Sequence, residues 1–125
     1  MNLILDTNAL LWWLMRHPRL AQSRHWETIQ TAPRVGVSVV SPWELWIKQH
    51  ARGLALPDDL DDQLVTEGFT MLAPTVEDAK LAAELPLIHR DPFDRMIVAQ
   101  AMRFNAPVVT SDRTLQRYDV DVLLV

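Results

Sequence analysis

Asn2-Leu3-Ile4-Leu5-Asp6-Thr7-Asn8 is an apolar run stopped by an acid. Consecutive large aliphatic residues without polar alternation read as a short strand buried on both faces, as in the interior of a parallel sheet. Asp6 then stands at the carboxyl end of that strand. Ala9 to Leu14 follows at once with helix-forming residues, ended by Pro18. A second run, Val35-Gly36-Val37-Ser38-Val39-Val40, is rich in β-branched residues and reads as another buried strand.

The same alternation continues outward from these two strands. Leu20 to Thr31 is expected as one helix, and Ser41 to Arg52 as another, closed by Gly53 as a C-terminal cap. Further helices are expected over Pro57 to Glu67, Thr75 to Leu85 and Asp91 to Asn105. Strands are expected at Phe69 to Leu72, Pro107 to Thr110 and Val120 to Val125. Short apolar strands alternating with amphipathic helices imply a three-layer α/β/α sandwich around a central parallel sheet of four to five strands. In such sheets ligands bind beyond the carboxyl ends of the strands, where connections depart in opposite directions.

At 125 residues, 49% of them apolar, the chain is read as a single domain over residues 1–125 with a core that needs no staple. It contains no cysteine, which excludes disulfides, cysteine–zinc sites and thiol nucleophiles. The apolar stretch from Ala9 to Met15 is too short to span a bilayer and carries no cleavage signal, so a cytoplasmic protein is expected. A net charge of −4 argues against holding nucleic acid by a basic surface. Bound divalent cations would invert that sign locally.

Four acids fall at or just past strand ends: Asp6, Glu44, Asp94 and Asp112. Ser41-Pro42-Trp43-Glu44 and Asp91-Pro92-Phe93-Asp94 share one local logic, a capping residue, a proline in the first turn and an acid three places on. Taken singly, each acid is explained by a capping box. Thr75-Val76-Glu77-Asp78 has that spacing and is assigned no function, and Asp58 to Asp62 is a solvated helix start. Taken together, four carboxylates delivered to one sheet edge repel one another unless a cation compensates them. Hard ions such as magnesium or manganese do so, and can activate water against a phosphodiester.

These stretches resemble the PIN domain, and within it the VapC-like toxins of bacterial toxin–antitoxin pairs. The likeness spans almost the whole chain and rests on Leu5-Asp6-Thr7-Asn8, Ser41-Pro42-Trp43-Glu44, Asp91-Pro92-Phe93-Asp94-Arg95-Met96-Ile97-Val98-Ala99-Gln100-Ala101 and Val109-Thr110-Ser111-Asp112. The resemblance implies an endoribonuclease dependent on Mg2+ or Mn2+, a homodimer, an RNA substrate and a cognate antitoxin whose C-terminal segment covers the acidic groove. By position it makes Asp6, Glu44, Asp94 and Asp112 the catalytic and metal-binding acids, with Asp6 and Asp94 as direct ligands and Asp112 acting through water. Thr7, Asn8 and Thr110 become their hydrogen-bonding support, and Asp91 offers a second carboxylate beside Asp94.

Other readings fit less well. A receiver domain needs an acidic pair after its first strand and a lysine after its last, and neither is present. A haloacid-dehalogenase-like phosphatase needs an aspartate where Asn8 stands. A catalytically inactive PIN-like binding module is the remaining alternative, and retention of all four acids speaks against it. His17, His25, His50 and His89 show no ligand spacing, so surface or local hydrogen bonding is their default, with His89 and Arg90 near enough to touch phosphate. Trp43 and Trp46 are expected in the core. Trp12 and Trp13, being adjacent, cannot both be buried on one helix face.

Overall fold

A computed structural model describes residues 1–125. In chain order the elements are β1 (Leu3–Leu5), α1 (Thr7–Met15), α2 (Pro18–Ala21), α3 (Trp26–Thr31), β2 (Val35–Ser38), α4 (Val40–Arg52) and α5 (Leu60–Thr66). Then come β3 (Thr70–Leu72), α6 (Val76–Glu84), α7 (Pro92–Phe104), β4 (Val108–Thr110), a 3-10 turn at Arg113–Arg117 and β5 (Val122–Leu124). The five strands form one sheet in the order β3-β2-β1-β4-β5, and every pairing is parallel.

Side-chain alternation along each strand divides the core into two layers. Leu3 and Leu5 of β1, with Val37 and Val109, pack against Ala9, Leu10 and Trp13 of α1, Leu20, Ile29 and the α5 residues Leu60 and Leu64. Ile4 and Val108 face the other way, onto Leu85 after α6 and onto Ile97, Val98 and Ala101 of α7. The sheet is thus covered on both faces, as expected of uninterrupted apolar strands. Gly36 of β2 is needed for space, since a Cβ there would lie 3.0 Å from Leu72 Cδ1 and 3.2 Å from Ile4 Cγ1.

From β1 the chain lays down β2 and β3 on one side, then returns to place β4 and β5 on the other. The crevice between the carboxyl ends of β1 and β4 is therefore the point where connections diverge. Leu5 pairs with Val37 on one side and Val109 on the other, so Asp6 emerges level with the ends of both neighbours.

Several local expectations needed correction. The segment from Leu20 to Thr31 is two short helices, and Pro18, expected only as a terminator, opens α2 at its first turn with His17 as cap. The helix expected from Pro57 begins at Leu60. Strand β2 stops at Ser38, because Val39 already has helical dihedrals (φ −56°, ψ −27°) and the chain turns directly into α4. Ser41 therefore lies inside the helix and caps nothing; its hydroxyl accepts a 3.1 Å hydrogen bond from Thr7 Oγ1. Gly53 does close α4, in the left-handed conformation at φ 69°.

Candidate active site

Each of the four acids is placed by a different element. Asp6 leaves β1 and caps α1, its Oδ1 accepting from the Ala9 amide at 2.9 Å, and it is only 5% exposed. Glu44 lies in the second turn of α4 and is also buried. Its Oε2 is 2.9 Å from Lys48 Nζ, whereas its buried Oε1 has no hydrogen-bond partner. Asp94 belongs to the first turn of α7, and Asp112 follows β4 as cap of the 3-10 turn. All four line one cleft of about 310 Å³, together with Thr7, Asn8, Lys48, Asp91 and Ser111.

Crowding of these carboxylates shows in their acidities. Burial, with smaller contributions from Asp112 and Glu44, pushes the Asp6 carboxyl up to about 6, although hydrogen bonds from Thr110 and the Ala9 amide work against the rise. Burial and the neighbouring Asp91 and Asp6 carboxylates push Asp94 up to about 7, with His89 opposing. For Asp112 burial acts upward, but hydrogen bonds from Thr114 and His89 outweigh it and hold the carboxyl below its usual value. The ionised form is thus least favoured at Asp6 and Asp94, chiefly through burial, with neighbouring carboxylates adding to it.

Asp91 resolves into a cap. Its Oδ1 accepts from the Phe93 amide at 2.9 Å, which turns the carboxylate toward its own helix although it still borders the cleft. The capping box expected at Thr75 and Asp78 is present and stands apart from the site. One participant was placed near the site but not paired with the acids, and another was missed. His89 Nε2 lies 2.8 Å from Asp112 Oδ2 and 3.1 Å from Asp94 Oδ2, so the local hydrogen bonding expected of it falls on the acids themselves. Lys48 was given no role, yet it stands on the cleft wall paired with Glu44; its position one helical turn after Glu44 was the available signal.

Trp43 and Trp46 correct the expectation of core positions, being 56% and 38% exposed. The inward face of α4 is occupied instead by Val40, Ser41, Glu44 and Leu45. The Trp43 ring rests edge-on against Phe93 at 5.1 Å, bridging α4 and α7 beside the cleft. Of the adjacent pair, Trp13 is buried while Trp12 is only partly covered and stacks on His17.

Oxygen donors dominate this cleft, and the facing cation, Lys48, is committed to a single carboxylate. An orphaned buried carboxylate oxygen and two acids raised chiefly by burial, with neighbouring carboxylates adding to it, fit a hard divalent cation, which Asp6, Glu44 and Asp94 could hold directly. Donor atoms of His89, Asp94 and Asp112 also lie within 4.8 Å of one another, a second grouping of ligating type.

An open parallel sheet with four acids gathered at its switch point is an α/β domain that presents carboxylates where such sheets bind their ligands. Comparison with known proteins agrees. The PIN domain family model matches residues 3–121, and the chain belongs to that family. It is similar to Ribonuclease VapC22 of Mycobacterium tuberculosis, with 32% identity covering 94% of this chain and 92% of the relative. Among solved structures it resembles a chain of Rickettsia felis VapBC2 bound to a DNA fragment from its promoter, at TM-score 0.71 and 15% identity over 99% of this chain and 98% of that one. DNA-bound VapBC from Salmonella typhimurium gives TM-score 0.67 and 19% identity over 98% and 97% of the two chains. At those identities the structural likeness concerns the fold.

Proposed function

We propose that this chain is a divalent-metal-dependent endoribonuclease, the toxin of a toxin–antitoxin pair, working as a single nuclease domain over residues 1–125. The observation that carries the reading is the convergence of Asp6, Glu44, Asp94 and Asp112 on one cleft at the sheet's switch point. The name of the ribonuclease relative supports RNA as the substrate. In this reading Asp6 and Asp94 are the direct ligands of Mg2+ or Mn2+, Glu44 contributes its unpartnered Oε1, and Asp112 is the outermost of the four. Such a cation supplies a lowered pKa for an attacking water and charge neutralisation at the phosphodiester.

The chain's own residues do the rest. Their negative charge repels an RNA backbone until the site is loaded, so binding and chemistry share one requirement. Asp6 is fixed by its bond to the Ala9 amide, and Asp94 is carried on a helix whose own cap, Asp91, is separate from it. Lys48 neutralises one oxygen of Glu44 and, being 41% exposed at the side chain, puts a cation on the cleft wall that an incoming phosphate can meet. A homodimer, a cognate antitoxin that masks the cleft and a cytoplasmic setting complete the proposal. No helix is long and apolar enough to cross a membrane.

The deciding experiment is RNA cleavage by purified protein. Mg2+ or Mn2+ should support it, excess chelator should abolish it, and products should carry 5′-phosphate and 3′-hydroxyl ends, as attack by water requires. Cleavage that survives chelation, or that leaves 2′,3′-cyclic phosphates, overturns the mechanism. Light scattering tests the dimer independently.

A further inference from the structure

The connection from α6 to α7 sets one imidazole between two of the four acids, and its donor pattern is fixed by its surroundings. His89 Nδ1 receives the Asp91 amide N–H at 3.1 Å. An amide can only donate, so Nδ1 must present its lone pair, and the ring proton is assigned to Nε2. That proton is donated to Asp112 Oδ2, 2.8 Å away, while Asp94 Oδ2 lies 3.1 Å from the same nitrogen as a close polar contact. A ring nitrogen that carries a proton has no lone pair to offer a cation.

We infer that His89 is a positioning residue that spans Asp112 and Asp94, donating its Nε2–H to Asp112 with Asp94 Oδ2 in contact with the same nitrogen, and that Asp112 serves the site by holding this imidazole and not by ligating the cation. The inference rests on the metal-dependent reading above for its consequence, but the bridge itself does not. Three donors fix the Asp112 carboxylate before any cation binds: Oδ1 accepts from the Thr114 amide and hydroxyl, and Oδ2 accepts from His89. Asp94 and Asp112 come from the start of α7 and the end of β4, and the imidazole joins them.

The ring is held from its backbone as well. The His89 amide donates to Tyr118 Oη at 2.8 Å, and its carbonyl accepts from Arg95 Nη1 at 3.2 Å. Tyr118 Oη in turn donates to the Pro86 carbonyl. The start of α7 and the end of the 3-10 turn thus both act to place one N–H on Asp112 beside Asp94, which goes beyond what a solvent-facing histidine requires. Outer donors of this kind orient metal-ligating groups, and their removal weakens metal affinity by roughly 10–100-fold.

The test uses the full chain and Mn2+ as probe. In metal-free protein with 15N-labelled histidine, long-range 1H–15N spectra should give His89, assigned by its loss in His89→Ala, the pattern of an Nε2–H ring. A ring protonated on Nδ1 alone overturns the bridge. In Mn2+ titrations followed by electron paramagnetic resonance, His89→Ala should bind roughly 10–100-fold more weakly than the parent. His89→Gln, which keeps an N–H at similar reach, should recover most of that loss. Electron spin-echo modulation of the loaded parent should show no directly bonded nitrogen. Direct nitrogen coupling that vanishes in His89→Ala makes His89 a ligand and overturns the proposal. A parent that takes up no Mn2+ sinks the metal-dependent nuclease instead, and leaves the bridge to be judged by the metal-free spectrum.

Discussion

Asp91 and Asp94, three residues apart on the same helix start, use their carboxylates in opposite directions: Asp91 accepts from the Phe93 amide at 2.9 Å, while Asp94 meets His89 in the cleft at 3.1 Å. Asp91→Ala should accordingly cost roughly 0.5–2 kcal/mol of stability through loss of the cap. Asp94→Asn should leave the metal-free protein as stable as the parent or more so, because it removes a carboxylate that burial and its neighbours have pushed up to about 7. The same substitution should abolish cleavage and most of the stabilisation by Mg2+. Thermal melting of both variants with and without Mg2+, beside an RNA cleavage assay, checks this. An active Asp94→Asn that melts well below the parent in chelator would make Asp94 a structural group.

Stability of the metal-free protein should fall as pH rises from about 4 to about 7. Asp6 and Asp94 are raised from 3.8 to about 6 and about 7, so the folded state binds more protons than the unfolded chain across that window. The change is on the order of a few kcal/mol over the two groups. Asp112 and Asp78 are shifted downward; their stabilisation is present above the ordinary carboxylate range and is lost on further acidification. Saturating Mg2+ should flatten the decline, and Mg2+ affinity should itself weaken below neutrality as protons compete for the site. Melting temperatures across this range, in chelator and in Mg2+, give the answer; a chelator curve that rises from pH 5 to pH 8 contradicts it.

Arg95 should be among the most sensitive positions outside the cleft. It is 7% exposed, and its guanidinium donates to the carbonyls of Ala82 and Leu85 at 2.8 Å and of Pro86 at 2.9 Å, as well as to His89. It therefore closes the C-terminal end of α6 and shapes the connection that carries His89. Arg95→Met strands several buried acceptors and should cost on the order of 3 kcal/mol or more in urea unfolding. Arg95→Lys should recover little, since a single ammonium cannot span the same fork.

Arg103 and Asp78 tie α7 to α6 by two hydrogen bonds, Nε to Oδ1 at 2.6 Å and Nη2 to Oδ2 at 3.0 Å. Arg103→Ala leaves the Asp78 carboxylate, 1% exposed, without its cation. The expected loss is about 2 kcal/mol, below the roughly 3–5 kcal/mol of a fully buried pair, because Arg103 is 31% exposed and Asp78 keeps its Thr75 bonds. Denaturant titration at neutral pH measures it, and RNA cleavage by the folded variant should be unaffected.

Much of this architecture was legible because its three inner strands are short and buried on both faces. Leu3 to Leu5 and Val108 to Thr110 announce themselves by composition, and an acid at the end of each marks the cleft. What escaped depended on contacts between elements. The spacing of Trp43 and Trp46 says that they share a side of α4, but not that Val40, Ser41, Glu44 and Leu45 take the inward side. Ser41 carries the sequence of a cap, yet Val39 starts the helix early and leaves Ser41 for Thr7. The ring at His89 is held because Asp91 and Arg95 at the start of α7 and the distant Tyr118 converge on it, and no local pattern connects Tyr118 to the others.

The strand order β3-β2-β1-β4-β5 also governs when the cleft can come into being. Translation delivers β1 first, and through the synthesis of β2 and β3 the free edge of β1 waits for a partner that has not yet been made. Asp6 and Glu44 emerge early, but Asp94 and Asp112 arrive with α7 and the far end of β4. Pairing of Leu5 with Val109 closes the loop between the two halves. A chain that stops before α7 therefore carries only Asp6 and Glu44 of the cluster, and the four acids share a cleft only after β4 has been made.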